Sequence, residues 1–352
     1  MSHETNDNKM QRRDFMKTTA VAAVAGSAML GVSSASAKPI SRDGLDHRNE
    51  RADIMTYRKL GRTNFMSSRL VFGCGAALQG GKAVRLLEEA FERGINHFDV
   101  GSDAYYKGSE RNLAPFFKKH RGEIWVTSKA PVRGAYDREA KESFSASDAR
   151  TAADRWSQLL DASLTDLDTD YVDAYYLMMI DQPALMKTDE ILNAFARAQE
   201  LGKVGHFGIS SHRRAEVCLE AAIELGVYDL AMIAVTPSGW YELSKRGPDE
   251  DAPDLKNLRP VLDRARDAGI GLVGMKAGRF MAPARAGGKN DNIAAFDHHY
   301  NEKLRDAPLS PFQRSYAYVL EHGLDVVNAD MQNFNHFEEN ALAARTSHEY
   351  FA

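Results

Sequence analysis

Residues 94–99, Gly-Ile-Asn-His-Phe-Asp, join the end of a predicted helix to a predicted strand. The end of this stretch, His97–Asp99, predicts a short buried strand with an acidic residue at its carboxyl end. The segment before it, residues 84–91, repeats apolar residues at the three- and four-residue spacing of a helix. That helix is predicted to end at Gly94, because glycine takes the left-handed cap conformation easily. The basic unit is therefore a helix followed by a strand.

This unit recurs along the chain. Two more predicted helices stop at glycines, Gly202 and Gly226. Short apolar runs predict eight strands, at Arg69–Phe72, His97–Asp99, Ile124–Thr127, Tyr171–Leu177, His206–Ser210, Ala231–Val235, Gly271–Met275 and Asp325–Asn328. Eight strands that alternate with helices over about 290 residues specify either a closed barrel or a doubly wound sheet.

Two observations separate these architectures. The glycines at residues 73–75 and 80–81 do not form the Gly-x-Gly-x-x-Gly fingerprint of a dinucleotide-binding sheet. Polar residues lie where predicted strands end, with Asp99 after the second, Lys129 after the third and Ser210–Ser211 after the fifth. A barrel places its chemistry at the carboxyl ends of different strands. We therefore predict an α/β protein with a (β/α)8 barrel.

The composition restricts the class of protein further. The 352 residues fit a single α/β barrel, and 43% hydrophobic with 27% charged residues is a globular composition. A net charge of −4 argues against a nucleic-acid binder. Cys74 and Cys218 are too few for a disulfide framework, and the sequence contains no Cys-x-x-Cys metal or redox motif. We expect two buried thiols, with a single bridge as the alternative, and no metal site.

The first forty residues have the pattern of an export signal. Paired arginines at residues 12–13 precede a phenylalanine and a lysine, a mild apolar stretch follows over 18–34, and residues 35–37 read Ala-Ser-Ala. This resembles a twin-arginine signal peptide, with Gln11 and Met16 departing from its consensus. The alternatives are a basic leader or a membrane anchor, but the stretch is short and weakly apolar for a span of about 20 residues.

The signal interpretation divides the chain into three parts. We expect a signal peptide over residues 1–37, a linker over 38–54 and a barrel domain over 55–352. The signal peptide, in turn, implies a periplasmic or otherwise exported protein that engages the twin-arginine translocase. We expect no membrane span in the mature protein.

Several motifs occur in one order along the barrel region. They lie at residues 57–63, 94–99, 109–110, 163–173, 202–210 and 338–340. In this order they resemble the aldo/keto reductase family, and the resemblance covers residues 55 to about 345. It implies an N-terminal β-hairpin before a TIM barrel, a small-molecule carbonyl substrate and hydride transfer from NADPH.

The resemblance also implies catalytic residues. Asp99 and Lys129 match the family's aspartate and lysine, and the acid tyrosine is assigned to Tyr105, with Tyr106 in reserve. A lysine beside a phenol lowers its pKa, so that the tyrosine can donate a proton to the developing alkoxide. The family's histidine position holds Met178, whose thioether cannot donate a hydrogen bond. Loss of such a donor costs about 10²–10³ in rate.

The implied cofactor site is altered too. Ser210 is kept, Ser211 replaces the family's asparagine and Ala234 its glutamine. Asp330 and His336 lie where members place groups around the NADPH 2′-phosphate, so we expect NADP or NAD. The remaining expected contacts are Lys276, Gly278, Arg279 and Asn340, with Arg285 and Lys289 in the same basic loop.

Two functions therefore remain open. The first is an NAD(P)(H)-dependent oxidoreductase of the aldo/keto reductase type. The second is a catalytically impaired barrel that binds a ligand or a partner protein, which the substitutions at Met178, Ala234 and Asp330 favour. A test for nicotinamide nucleotide, either bound on purification or bound on addition, distinguishes the oxidoreductase from the binding protein.

Overall fold

The computed structural model describes residues 47, 49–132, 141–283, 288, 292–329 and 331–352. The predicted signal peptide lies outside the described residues, as do Arg285, Lys289 and Asp330. Within the described ranges, no helix is long and apolar enough to cross a membrane.

Eight parallel strands close into a barrel. They are β3 (Leu70–Gly73), β4 (His97–Asp99), β5 (Trp125–Pro131), β6 (Val172–Met178), β7 (Val204–Ser211), β8 (Leu230–Thr236), β11 (Gly271–Met275) and β12 (Val326–Ala329). Each strand pairs with the next in this order, and β12 pairs with β3 to complete the ring. The predicted (β/α)8 TIM barrel is confirmed.

Short antiparallel strands lie outside the ring. The hairpin of β1 (Tyr57–Lys59) and β2 (Met66–Ser68) precedes the barrel, where the sequence predicted a hairpin. A second small ladder joins β9 (Gly239–Glu242) to β8 and to β10 (Gly247–Pro248).

Helices cover the outside of the barrel. They are α1 (Cys74–Leu78), α2 (Leu86–Glu92), α3 (Asp103–Tyr106), α4 (Ser109–His120), α5 (Ala146–Asp166), α6 (Pro183–Met186), α7 (Asp189–Glu200), α8 (Ala215–Leu225), α9 (Arg259–Asp267), α10 (Glu302–Arg305), α11 (Pro311–Glu321) and α12 (Phe334–Thr346). Single 3₁₀ turns lie at Gly61–Thr63, Gln79–Gly81, Leu255–Leu258, Arg279–Met281, Asp297–His299 and Ser347–Tyr350. The predicted glycine stops are confirmed, because Gly94, Gly202 and Gly226 all have positive φ angles.

The alternation of side chains along each strand sorts residues into two cores. On β6, Ala174 and Tyr176 point into the barrel, whereas Tyr175 and Leu177 pack under the helices. Successive side chains of a strand point to opposite faces, so this period of two also fixes which polar residues reach the barrel mouth.

Aromatic rings close the amino-terminal end of the barrel. Phe65 stacks on Trp125 with a centroid separation of 4.6 Å, and His47 lies 5.5 Å from the same indole. The His47 ring also contacts the buried Asp173 carboxylate at 2.9 Å. Asn49 donates to the carbonyls of Phe91 and Ile95. The last residues of the predicted 38–54 linker therefore pack on the barrel.

Candidate active site

A cavity of about 900 Å³ opens at the carboxyl ends of the barrel strands. This volume lies within the range of small-molecule and cofactor sites. Residues from all eight barrel strands contribute to its wall, together with loops that follow these strands. The predicted residues that line it are Asp99, Tyr105, Tyr106, Lys129, Met178, Ser210, Lys276, Gly278, Arg279 and Asn340.

The centre of the cavity wall is a buried ion pair. Lys129 Nζ lies 2.5 Å from Asp99 Oδ2, and both side chains are at most 5% exposed. The ammonium also donates to the Val100 carbonyl. Burial raises the pKa of Asp99, and the Lys129 cation opposes that shift because it favours the charged form. The two predicted residues are thus brought together on neighbouring strands.

Asn328 completes the surroundings of this pair. Its amide Nδ2 donates to Asp99 Oδ2 at 2.6 Å from the end of β12, across the closing seam of the barrel. The sequence predicts Asn328 at the end of the last strand, in a motif associated with the cofactor phosphate, but not its contact with Asp99. Its polar side chain at a strand end was the available signal, and its partner is 229 residues away in the chain.

The two candidate tyrosines lie on the short helix α3. The Tyr105 side chain is 45% exposed, and its ring contacts that of Tyr106 at 4.8 Å. The Tyr106 ring lies against the ion pair, with its centroid 5.9 Å from Lys129 Nζ. Both rings line the cavity, and the described cation–π contact with Lys129 is made by the reserve candidate Tyr106.

Two glycines make room for the Tyr106 ring. A Cβ atom on Gly75 would lie 2.7 Å from Tyr106 Cζ, and a Cβ on Gly101 would lie 2.9 Å from the ring edge. Larger residues at either position would displace the phenol. The Ser102 carbonyl accepts hydrogen bonds from the backbone amides of Tyr105 and Tyr106, which closes the turn.

Met178 occupies the mouth of the barrel beside Ser210. It is 1% exposed, lines the cavity and pairs in register with Ser210. Its inward direction follows from the alternation on β6, where Ala174 and Tyr176 also point inward. His212, two residues beyond Ser210, lines the same cavity. The sequence reasoning missed His212, although it directly follows the end of β7, where a barrel places its chemistry.

The two serines at the end of β7 point in opposite directions. Ser210 is completely buried, lines the cavity, and its Oγ has no hydrogen-bond partner in the described part of the chain. Ser211 lies on the side of β7 that carries the outward-packed Phe207 and Ile209, and its hydroxyl donates to the Arg213 carbonyl at 2.8 Å. The geometry therefore does not bring Ser211 to the cavity, because adjacent strand residues cannot share a face.

The remaining predicted cofactor residues lie along one side of the cavity. Lys276 follows β11 with a φ of 69°, and Gly278 and Arg279 follow it. At the far end, α12 contributes His336, Glu339 and Asn340, and the segment before it contributes Gln332 and Asn333.

The polar groups along this cavity fit an extended dinucleotide. Two cations, Lys276 and Arg279, line the cavity, and cations of this kind pair with a pyrophosphate. The buried Ser210 hydroxyl lies at the end nearest Met178. At the end of the cavity formed by α12, the described lining residues carry amides, an imidazole and a carboxylate. None of these described residues is a lysine or an arginine.

The two cysteines lie away from this chemistry. Cys74 and Cys218 are both buried in the outer core, as predicted. Burial raises the pKa of the Cys218 thiol to about 12, so that it stays protonated at neutral pH.

The chain belongs to the aldo/keto reductase family, whose profile matches residues 69–347. It is 26% identical over 241 residues to L-glyceraldehyde 3-phosphate reductase from Escherichia coli K12, which covers 64% of this chain and 62% of that protein. It is 31% identical over 163 residues to the uncharacterized oxidoreductase YqkF from Bacillus subtilis, which covers 45% of this chain and 50% of that protein. The chain thus spans between half and two thirds of these curated relatives.

Solved structures have the same fold. A putative aldo-keto reductase from Pseudomonas aeruginosa superposes with a TM-score of 0.57 at 20% identity, over 86% of this chain and 98% of that one. The likeness at this identity is one of fold.

Proposed function

We propose that this protein is an NAD(P)(H)-dependent oxidoreductase that transfers hydride to or from a carbonyl or alcohol substrate, with Tyr106 as the general acid. The proposal is carried by one observation. The Asp99–Lys129 ion pair and the Tyr106 ring meet at the mouth of the barrel, in a cavity large enough for a cofactor and a small substrate.

The ion pair prepares the phenol for proton transfer. A phenol is a weak acid, and its anion needs a nearby positive charge. Lys129 supplies that charge, while Asp99 and the Val100 carbonyl hold the ammonium beside the ring. Tyr106 then donates its proton to the oxygen of a carbonyl as negative charge develops there, or accepts one from an alcohol in the reverse direction.

The cofactor residues follow from the cavity. When bound, the nicotinamide nucleotide supplies or accepts the hydride. Ser210 would hydrogen-bond its amide end, Lys276 and Arg279 would neutralise the pyrophosphate, and Asn340 would contact the adenosine end. We propose NADP or NAD as the nucleotide, and parallel titrations with NADPH and NADH decide between them.

Met178 supports a second candidate function. Its thioether takes the place of the family's hydrogen-bond donor, and a barrel without that donor could serve as a ligand-binding or partner-binding protein. The imidazole of His212 lines the same cavity and can donate a hydrogen bond to a substrate oxygen. This residue favours the enzyme over the binding protein.

We also propose that residues 1–37 direct the protein to the periplasm or another exported location through the twin-arginine translocase. The paired Arg12 and Arg13, the mild apolar stretch and the Ala-Ser-Ala end support it. Replacing both arginines with lysine is expected to block export. Export that survives the double substitution would contradict the proposal.

The central experiment measures cofactor and turnover in the same protein. Purified protein is titrated with NADPH and with NADH by nucleotide fluorescence, and reduced-nucleotide oxidation is then followed with a panel of aldehydes and ketones. Binding together with oxidation supports the enzyme. Binding of neither nucleotide would overturn the enzyme and leave the ligand-binding barrel.

A further inference from the structure

Glu110 is a buried carboxylate that contacts the strand carrying Lys129. Glu110 lies at the start of α4 and is completely buried, although carboxylates are rarely buried without partners. Its Oε1 accepts a hydrogen bond from Ser128 Oγ at 2.6 Å, and Ser128 precedes Lys129 on β5. Its Oε2 accepts from the backbone amide of Asp103, the first residue of α3, at 3.1 Å. The two carboxylate oxygens therefore connect the tyrosine helix to the lysine strand.

The contact with α3 is reciprocal. Asp103 Oδ1 accepts from the backbone amide of Glu110 at 3.1 Å, so that each residue caps the helix on which the other lies. Ser109 donates to the Tyr106 carbonyl at 2.7 Å and thereby fixes the other end of α3. A helix of four residues has little stability of its own, and its position depends on such outside contacts.

The acidic groups around Glu110 do not need a metal ion. Asp103, Glu110 and Asp166 bring carboxylate oxygens within 4.8 Å of one another. However, the Arg111 guanidinium pairs with Asp103 at 2.5 Å and with Asp166 at 3.2 Å, so a cation is already present. Glu110 itself is held by hydrogen-bond donors of the protein.

We propose that Glu110 is a positioning residue, whose carboxylate ties the tyrosine helix α3 to strand β5 and thereby holds the acid phenol against Lys129. The inference rests on the proposed function, because it assigns the acid role to Tyr106. Without the tie, α3 keeps its link to Ser109 and the backbone bond from Ser102 to the Lys129 carbonyl at 3.0 Å, but loses the side-chain attachment that Glu110 makes to Ser128 on β5. Displacements of about 1 Å at a reacting group can cost about a hundredfold in rate.

The buried environment of Glu110 agrees with a structural tie. Burial raises the pKa of Glu110 to about 7, and the Ser128 and Ser163 hydroxyls and the Asp103 amide oppose that shift. Since a serine hydroxyl can accept as well as donate, protonation at Oε1 reverses the Ser128 bond without breaking it. The tie therefore depends on the geometry of two oxygens rather than on the charge.

Glutamine and alanine substitutions separate geometry from charge. In Glu110→Gln, the amide oxygen can accept from the Asp103 amide while the amide nitrogen donates to Ser128 Oγ. We expect Glu110→Gln to keep kcat within about threefold. Glu110→Ala is expected to lower kcat by about 10- to 100-fold while the KM for the nucleotide stays within about twofold. Asp166→Asn is the matched control, because it removes an acid of the same cluster that has no described hydrogen bond to Asp103 or Ser128 and does not link α3 to β5.

A second measurement reports the position of the phenol without turnover. The protein is labelled with 3-fluorotyrosine, and the ¹⁹F resonance of Tyr106 is assigned by its absence in Tyr106→Phe. Lys129 lowers the pKa of a phenol beside it, so the pH titration of this resonance reports the contact. We expect Glu110→Ala to shift the titration to higher pH, and Glu110→Gln and Asp166→Asn to leave it unchanged.

The two measurements test different parts of the proposal. A Tyr106 titration that is identical in wild type and in folded Glu110→Ala would overturn the positioning role, whatever the activity. A Glu110→Gln variant as impaired as Glu110→Ala would overturn the geometric tie in favour of charge. A wild-type protein that neither binds nucleotide nor turns over would overturn the proposed function, while the ¹⁹F comparison would still decide the role of Glu110.

Discussion

Replacement of Lys129 by methionine is expected to damage both stability and turnover. Methionine keeps much of the side-chain length but removes the cation, and so leaves the Asp99 carboxylate buried with the Asn328 amide as its remaining described side-chain donor. Breaking one partner of a buried pair costs about 3–5 kcal/mol. With both side chains at most 5% exposed, solvent offers little compensation. We therefore expect a loss of free energy of unfolding in that range.

The loss should depend on pH in a defined direction. Burial already raises the pKa of Asp99 in the folded protein, and without Lys129 the pKa rises further above the unfolded value of about 3.9. A carboxyl group whose pKa is higher in the folded than in the unfolded protein stabilises the fold at pH values below its unfolded pKa. That stabilisation is lost as the pH rises through the pKa of the folded protein. Lys129→Met is therefore expected to lose more stability at neutral than at acid pH.

A second substitution separates the structural effect from the catalytic one. In Lys129→Met combined with Asp99→Asn, the buried charge is gone and the asparagine oxygen can still accept from Asn328. We expect about 2–3 kcal/mol of the stability to return, because most of the single-variant cost comes from the stranded carboxylate. Turnover is expected to stay at least about 100-fold low, because the Lys129 ammonium no longer lies beside the Tyr106 ring.

The assay is urea unfolding of the wild type, both single variants and the double variant, at acid and neutral pH. Steady-state turnover is measured on the same preparations. Equal stability of Lys129→Met and the double variant at neutral pH would refute the buried-charge reasoning. Full turnover in Lys129→Met would refute the catalytic role and leave a structural ion pair.

Three further substitutions test the other site assignments. Tyr106→Phe is expected to lower kcat by at least about 100-fold with nucleotide binding intact, whereas Tyr105→Phe should stay within about threefold. The reverse result in steady-state kinetics would return the acid role to Tyr105. Met178→His is expected to raise kcat by about tenfold or more, because it restores a hydrogen-bond donor at the mouth. An unchanged rate would show that the barrel works without one there. Ser210→Ala is expected to weaken nucleotide binding about fivefold in a fluorescence titration, whereas Ser211→Ala should not. A larger effect from Ser211 would contradict the opposite directions of the two side chains.

The barrel could be predicted because its pattern is local. Apolar runs followed by helical spacing define each unit, and two predicted strands, His97–Asp99 and Gly271–Met275, have the observed bounds. The third strand was predicted to end at Thr127 but extends to Pro131, because its inward Lys129 still pairs with β6. Where a strand ends in buried polar residues, a prediction from hydrophobicity alone makes the strand too short.

The site could be predicted only in part, for two physical reasons. Asp99 and Lys129 follow from their strand ends, and the opposite direction of Ser211 could have followed from the period of two. The choice between Tyr105 and Tyr106 could not, because a four-residue helix has no periodicity that tells which ring faces Lys129. The bond from Asn328 to Asp99 joins the last strand to the second and needs the closed ring.

His47 and Asn49 attach the amino-terminal segment to one end of the barrel, and the cavity lies at the other end. His47 packs at the amino-terminal end of the barrel, among Trp125, Phe65 and Asp173, whereas the cavity opens at the opposite, carboxyl end of the strands. The described amino-terminal residues therefore stabilise the closed end of the barrel and leave the mouth, with its Asp99–Lys129 pair, uncovered.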